Sequence, residues 1–187
     1  MKFEYANVSD SLFRQEYSLS RAQEYIEMLL YAAIAFSLPF VLGHEQLLVG
    51  STVNCALVLA ALNLKGARLL PVIILPSVGV FFAGLVFGSL TPALLYMIPF
   101  IWAGNALLVV CIKYFVLDKK SNRVAALGAA AIAKSVFLFL AAFALLTFGM
   151  VPAAFLTAMG IFQLATALLG GSAALVLQMG KRRLLAA

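Results

Sequence analysis

Apolar positions along this chain gather into six long runs, divided by short stretches of glycine, proline and charge. The runs cover residues 25–43, 47–64, 69–87, 93–117, 124–148 and 153–179. Each is long enough to cross a hydrocarbon core of about 30 Å as a helix. A helix also satisfies its own backbone hydrogen bonds, as lipid demands. The third run is the least regular, because Pro71, Pro76, Gly79 and Gly84 interrupt it. Neighbouring helices in a bundle repair kinks of that kind. The pattern predicts an all-α integral membrane protein, a six-helix transmembrane bundle over residues 24–180.

The stretch before it, residues 1–23, is too polar and acidic for a signal peptide. It reads as a cytoplasmic lead-in helix, with "SRAQ" (Ser20 to Gln23) as a capping box for the first span. Residues 181–187 form a basic tail. The loops between runs then divide by charge. Lys2, Arg14 and Arg21 precede the first span, and Lys65 and Arg68 follow the second. Lys119, Lys120 and Arg123 follow the fourth, and Lys181, Arg182 and Arg183 the sixth. The other three loops, "GHEQ", "GSLTP" and "GMVP", hold no Lys or Arg. Basic residues favour the cytoplasmic side, so both termini are expected in the cytoplasm. An odd number of spans would break the alternation.

Composition agrees with the pattern. The chain is 65% hydrophobic and 11% charged, with a mean hydropathy of +1.08, against roughly 45–50% and about 25% in soluble domains. Too little polar surface remains to cover a water-facing globule of 187 residues. The net charge of +6 does not indicate nucleic acid, because the basic residues sit in membrane loops rather than on one face of a soluble fold. Cys55 and Cys111 lie inside apolar runs, where cysteine acts as a small hydrophobe. Neither a disulfide framework nor a zinc motif is visible. The acids within reach of the spans, Glu24, Glu27, Glu45 and Asp118, are scattered near interfaces, and no hydrolase or metalloprotease signature appears. No enzyme activity, cofactor or metal is expected.

Polar groups inside the runs are informative because each costs free energy unless paired. Asn54, Asn105 and Gln163 fall near the middle of three different spans. They either bond between helices, worth about 0.6 kcal/mol each on average, or line one pocket. Lys134 interrupts "AAAIAKSVFLFLAAFALL". Counted from Arg123 it lies roughly 16 Å deep, where it needs an anionic partner or ligand; counted from Gly128 it is about 9 Å deep and able to snorkel. His44, Glu45 and Gln46 open the second span, either as a solvated helix start or as part of a ligand-gating loop. Phe81, Phe82, Phe87, Tyr96, Phe100 and Trp102 crowd the ends of the third and fourth spans opposite the basic loops, as a membrane belt or as stacking surfaces for a flat ligand. Pro99 is expected to open the fourth helix one turn above Asn105. Ala32, Ala33, Ala35 and Ser37 make a smooth patch on the first span where another helix could approach closely.

The stretches "HEQLLVGSTVNCALVLAAL", "IPFIWAGNALLVV", "AIAKSVFLFLAAFAL" and "LATALLGG" resemble, in this order and length, a substrate-binding S component of an energy-coupling factor transporter. The resemblance covers nearly the whole chain and is to small bacterial members with no assigned substrate. It implies a protein of the bacterial cytoplasmic membrane that binds a vitamin or other small micronutrient from outside. Asn54, Tyr96, Trp102, Asn105, Lys134, Gln163, His44 and Glu45 are the candidate substrate contacts. It further implies docking, through the Ala32, Ala33, Ala35 and Ser37 patch, onto a transmembrane coupling subunit driven by two cytoplasmic ATPases. The family's alanine-rich docking motif is matched only as Ala33 and Ser37 at spacing four. The nickel and cobalt members carry an N-terminal Met-x-His, and this chain begins "MKF". The rival readings are a six-helix membrane scaffold that binds no small molecule, and a channel or self-sufficient carrier.

Overall fold

The computed structural model describes residues 8–186, with side chains over residues 9–183. Lys2 and the ends of both terminal segments lie outside that range. Eight α-helices follow in order. α1 (Val8–Ser11) is a single turn; α2 (Arg21–Leu42), α3 (Gln46–Asn63) and α4 (Leu69–Ala83) are the first three spans. α5 (Thr91–Ile112) continues through a π-helical turn, Lys113–Asp118, and α6 (Arg123–Thr147) is the fifth span. α7 (Ala154–Met159) and α8 (Ile161–Ala186) together make the sixth. Six segments are therefore long and apolar enough to cross a membrane.

Local chemistry sets the helix ends. Ser20 and Gln23 form the expected capping box, each side chain bonding the other's backbone N–H, so α2 starts at Arg21, before its apolar run begins. Gly84 stops α4 in the left-handed conformation, at φ 68°, which glycine adopts without Cβ strain. Pro76 lies inside α4 without ending it. Proline cannot donate to the Val72 carbonyl, and the two carbonyls after it, Ile73 and Ile74, accept from Asn105 and Trp102 of α5.

α3 is the central helix. It packs most extensively against α8 and also touches α2, α4 and α5, while α6 fills the gap between α5 and α8. Small residues make this closeness possible. A Cβ at Gly170 of α8 would overlap the Ser51 carbonyl oxygen of α3, and one at Gly79 of α4 would overlap the Phe36 carbonyl of α2. Two apolar clusters result. One includes Leu57, Leu62, Val72 and Ile112 toward the basic loops, and the other gathers Leu94, Met97, Leu138 and Phe155 toward the opposite end.

The segment ahead of α2 departs from the expected lead-in helix. Its backbone bonds to itself only as far as the Arg14 N–H and then turns to the bundle: Glu16 N–H donates to Leu62 O at 2.8 Å, and Leu12 O accepts from Gly66 N–H at 2.9 Å. Lys113, fully buried, donates to the Arg14 carbonyl at 2.6 Å and the Leu64 carbonyl at 2.7 Å. Arg14 pairs with Asp118, and Glu16 takes both Arg123 and Gln178. The segment thus lies across the basic end of the bundle as a strap. Glu16→Ala removes a two-pronged arginine pair and the Gln178 bond together, of order 1.5 kcal/mol. Trypsin is expected to cut at Arg14 and Arg21 about tenfold faster in that variant than in the wild type, if cleavage follows the open population. Equal cutting rates would show that the strap does not depend on Glu16.

Candidate functional site

A cavity opens where the two apolar clusters meet, in the half of the bundle remote from the basic loops. Val49 and Val53 of one cluster and Leu94 and Met159 of the other share its wall. Its inner space measures about 80 Å³, and with the open mouth the void measures about 560 Å³. The inner space is roomy and polar enough to hold ordered water. Gln46, Val86 and Phe87 line it nearest the loops.

Six polar side chains line this otherwise apolar space: Gln46 and Asn54 from α3, Ser77 from α4, Asn105 from α5, Lys134 from α6 and Gln163 from α8. Asn54 is the hub. Its Oδ1 accepts from Lys134 Nζ at 2.7 Å. Its Nδ2 donates to Gly50 O at 2.9 Å and to Thr166 Oγ1 at 3.1 Å. Thr166 in turn donates to the Gln163 carbonyl of its own helix. Lys134 is 2% exposed, so it points into the bundle and does not snorkel.

Asn105 donates through Nδ2 to Ile73 O at 3.0 Å, and its Oδ1 accepts nothing among the described residues. The side chains of Gln46 and Gln163 hold no hydrogen bond among the described residues either. Ser77 donates to Ile74 O and accepts from Trp102 Nε1 at 2.8 Å. Trp102 therefore braces the cavity wall from behind.

The other candidate residues lie elsewhere. Tyr96 is 48% exposed on the outer surface of α5, and His44 and Glu45 are exposed at the start of α3. None of the three lines the cavity, and neither does Trp102. On α2, Ala32 and Ala35 are buried and pack against the bundle, so they present nothing to an outside helix. Ala33 and Ser37 are exposed, with Ser37 donating to the Ala33 carbonyl.

The broken helix beside the cavity is not the fourth. α5 runs unbroken past Pro99, whose ring faces outward. The sixth span breaks instead at Gly160, where φ −93° and ψ −96° leave the helical region. The break falls between the cavity residues Met159 and Gln163. α8 thus begins inside the bundle, and a helix start presents N–H groups that no preceding turn can pair. The sequence reading misses Ser77, which lines the cavity, and Thr166, which supports Asn54; Gln46, which that reading sets with His44 and Glu45 at the opening of the second span, lines the cavity too. Thr166 carries only the signal of a polar type one turn from Gln163, and Ser77, the one polar side chain of its run, carries none.

Among the described residues no three His, Cys, Asp or Glu side chains gather as a metal site would require. Fold and site together define a multi-pass, all-helical membrane protein with an internal cavity holding one buried lysine. Compared with family models, with curated proteins and with solved structures, the chain matches none.

Proposed function

We propose that the protein is the substrate-binding membrane subunit of an uptake system of the energy-coupling factor type, and that it takes a small micronutrient into its central cavity. One observation carries this reading. Polar side chains from five helices converge on a void in an otherwise hydrocarbon interior, and one of them, Lys134, is of the ionisable kind that marks a functional site in a membrane interior. The cavity opens at the end without basic loops, which the charge rule puts outside the cell, with both termini in the cytoplasm. In this reading the chain hydrolyses nothing itself. It works with a transmembrane coupling subunit and two cytoplasmic ATPases in a bacterial cytoplasmic membrane, and Ala33 and Ser37 are the part of the small-residue patch free to meet the coupling subunit.

The size of the inner space favours a second reading, a scaffold without cargo. About 80 Å³ is below the roughly 300–1,000 Å³ of most small-molecule sites, so a vitamin-sized ligand has to fill the mouth as well. Mass spectrometry of the purified protein separates the two. A receptor is expected to retain a small molecule near one per chain, and to lose most of it in both Asn105→Leu and Lys134→Met. Undiminished retention in both variants overturns the pocket assignment. Recovery of the chain without a coupling subunit or ATPases from its own membrane supports the scaffold.

A further inference from the structure

Charge is distributed unevenly between the two ends of this bundle. Among the described residues the cavity half holds only two charged side chains, Lys134 and Glu45; the remaining ones lie at the strapped, basic end. There four acids are matched, Glu16 with Arg123, Glu24 with Lys65 and Arg68, Glu27 with Lys181, and Asp118 with Arg14, and Asp10 is exposed. Lys134 has no such partner. Glu45 is exposed and nine residues before Asn54 on the chain, about 13 Å along the helix axis, too far to reach the ammonium that Asn54 holds.

Donor count points the same way. An ammonium has three N–H groups, and one of them goes to Asn54 Oδ1. Asn54 is committed on its other side to Gly50 and Thr166, so it acts as a positioning residue that aims the lysine. Two donors remain on a side chain that lines the cavity. A cation at this depth in an apolar bundle needs a counter-charge or strong acceptors, and the protein supplies one amide oxygen.

We propose that the cavity binds a small amphipathic monocarboxylate, with its oxygens on Lys134 Nζ and its apolar body against Val80, Leu94, Ile101 and Met159. The proposal rests on the receptor reading and adds the ligand's class. One ammonium balances one carboxylate, whereas a phosphate dianion would leave a second charge uncompensated in hydrocarbon. A bare halide would use the lysine and leave the apolar wall without a function.

The single tryptophan supplies a local readout, because Trp102 bonds to the cavity residue Ser77. The intact protein in phosphatidylcholine nanodiscs is titrated with octanoate and with octanamide while Trp102 emission is followed. Octanoate is expected to give a saturable change at concentrations about ten- to a hundredfold below octanamide, the ratio of one charge-assisted hydrogen bond. Lys134→Met is expected to bring octanoate to the octanamide value. Lys134→Gln, which keeps a polar donor and drops the charge, does the same should the methionine variant not fold. Equal responses to the two probes in the wild type overturn the anionic class, as does no response to octanoate. Displacement of octanoate by equimolar chloride overturns it in favour of a bare ion. The receptor reading is judged separately by the retained-molecule measurement, which is indifferent to ligand charge.

Discussion

Gly170→Ala is expected to destabilise the bundle by about 3 kcal/mol, and Gly170→Leu to leave no monodisperse folded protein in detergent. The methyl group of alanine would occupy the place of the Ser51 carbonyl oxygen and press on the Cys55 backbone N–H. Those are main-chain atoms of α3, so no rotamer change relieves the overlap and the two helices must separate. Overpacking of a tight core costs roughly 1–3 kcal/mol, sometimes more, and the α3–α8 contact is the most extensive in the molecule. It also carries the Asn54–Thr166 bond, so separation disturbs the polar hub as well as the packing. Gly128 is the internal control. A Cβ there meets nothing within 4 Å, and replacing a mid-helix glycine by alanine stabilises by about 0.5–1 kcal/mol. Thermal unfolding followed by circular dichroism, with both variants in the same detergent, reads the comparison. A Gly170→Ala melting point no lower than that of Gly128→Ala would mean the helices do not approach as closely as described.

Six spans were legible because run length and hydropathy alone decide them, and the structure shifts their ends by only a few residues. What linear order hides is helix rotation. Lys134 is a case in point: depth along the chain left midplane and snorkelling equally open, and only the facing of α6 toward Asn54 decides between them. Ala32 and Ala33 are neighbours in sequence yet one is buried and the other exposed, which no count of small residues foretells. The helix break was misplaced for a related reason. Pro99 looked like the opening, but its ring lies on the outer face and the ladder closes around it. Gly160, one of several glycines in its span and common in membrane helices, is where the chain leaves helical geometry. Ser77 and Thr166 were invisible because short hydroxyl side chains bond readily to their own helix, as both do here, and so carry no signal of a pocket. Lys113 lies inside the fourth run with nothing in linear order to mark a partner; that partner, the carbonyl of Arg14, is contributed by a segment 99 residues away.

The lysine itself is expected to be a burden on stability that the amide beside it relieves. Asn54→Leu removes the acceptor from Lys134 and leaves the ammonium buried with no partner among the described residues, a loss of about 2 kcal/mol. Lys134→Met removes the charge and leaves only an amide oxygen beside a space able to hold water, so its effect is within about 0.5 kcal/mol of zero or stabilising. The double variant exchanges both partners for apolar groups of similar size and is expected near the wild type, because an unmet buried group costs more than an absent pair. The sign of the cycle is the telling quantity: the second substitution rescues the first by about 1.5 kcal/mol or more, whereas independent sites would add. Reversible unfolding of the four proteins in mixed micelles measures it. The outcome bears on function, because a residue whose removal stabilises the fold is kept for something other than the fold. Should Lys134→Met be the most damaging of the three, the ammonium is a structural tie and the cavity loses its reason to hold a charge.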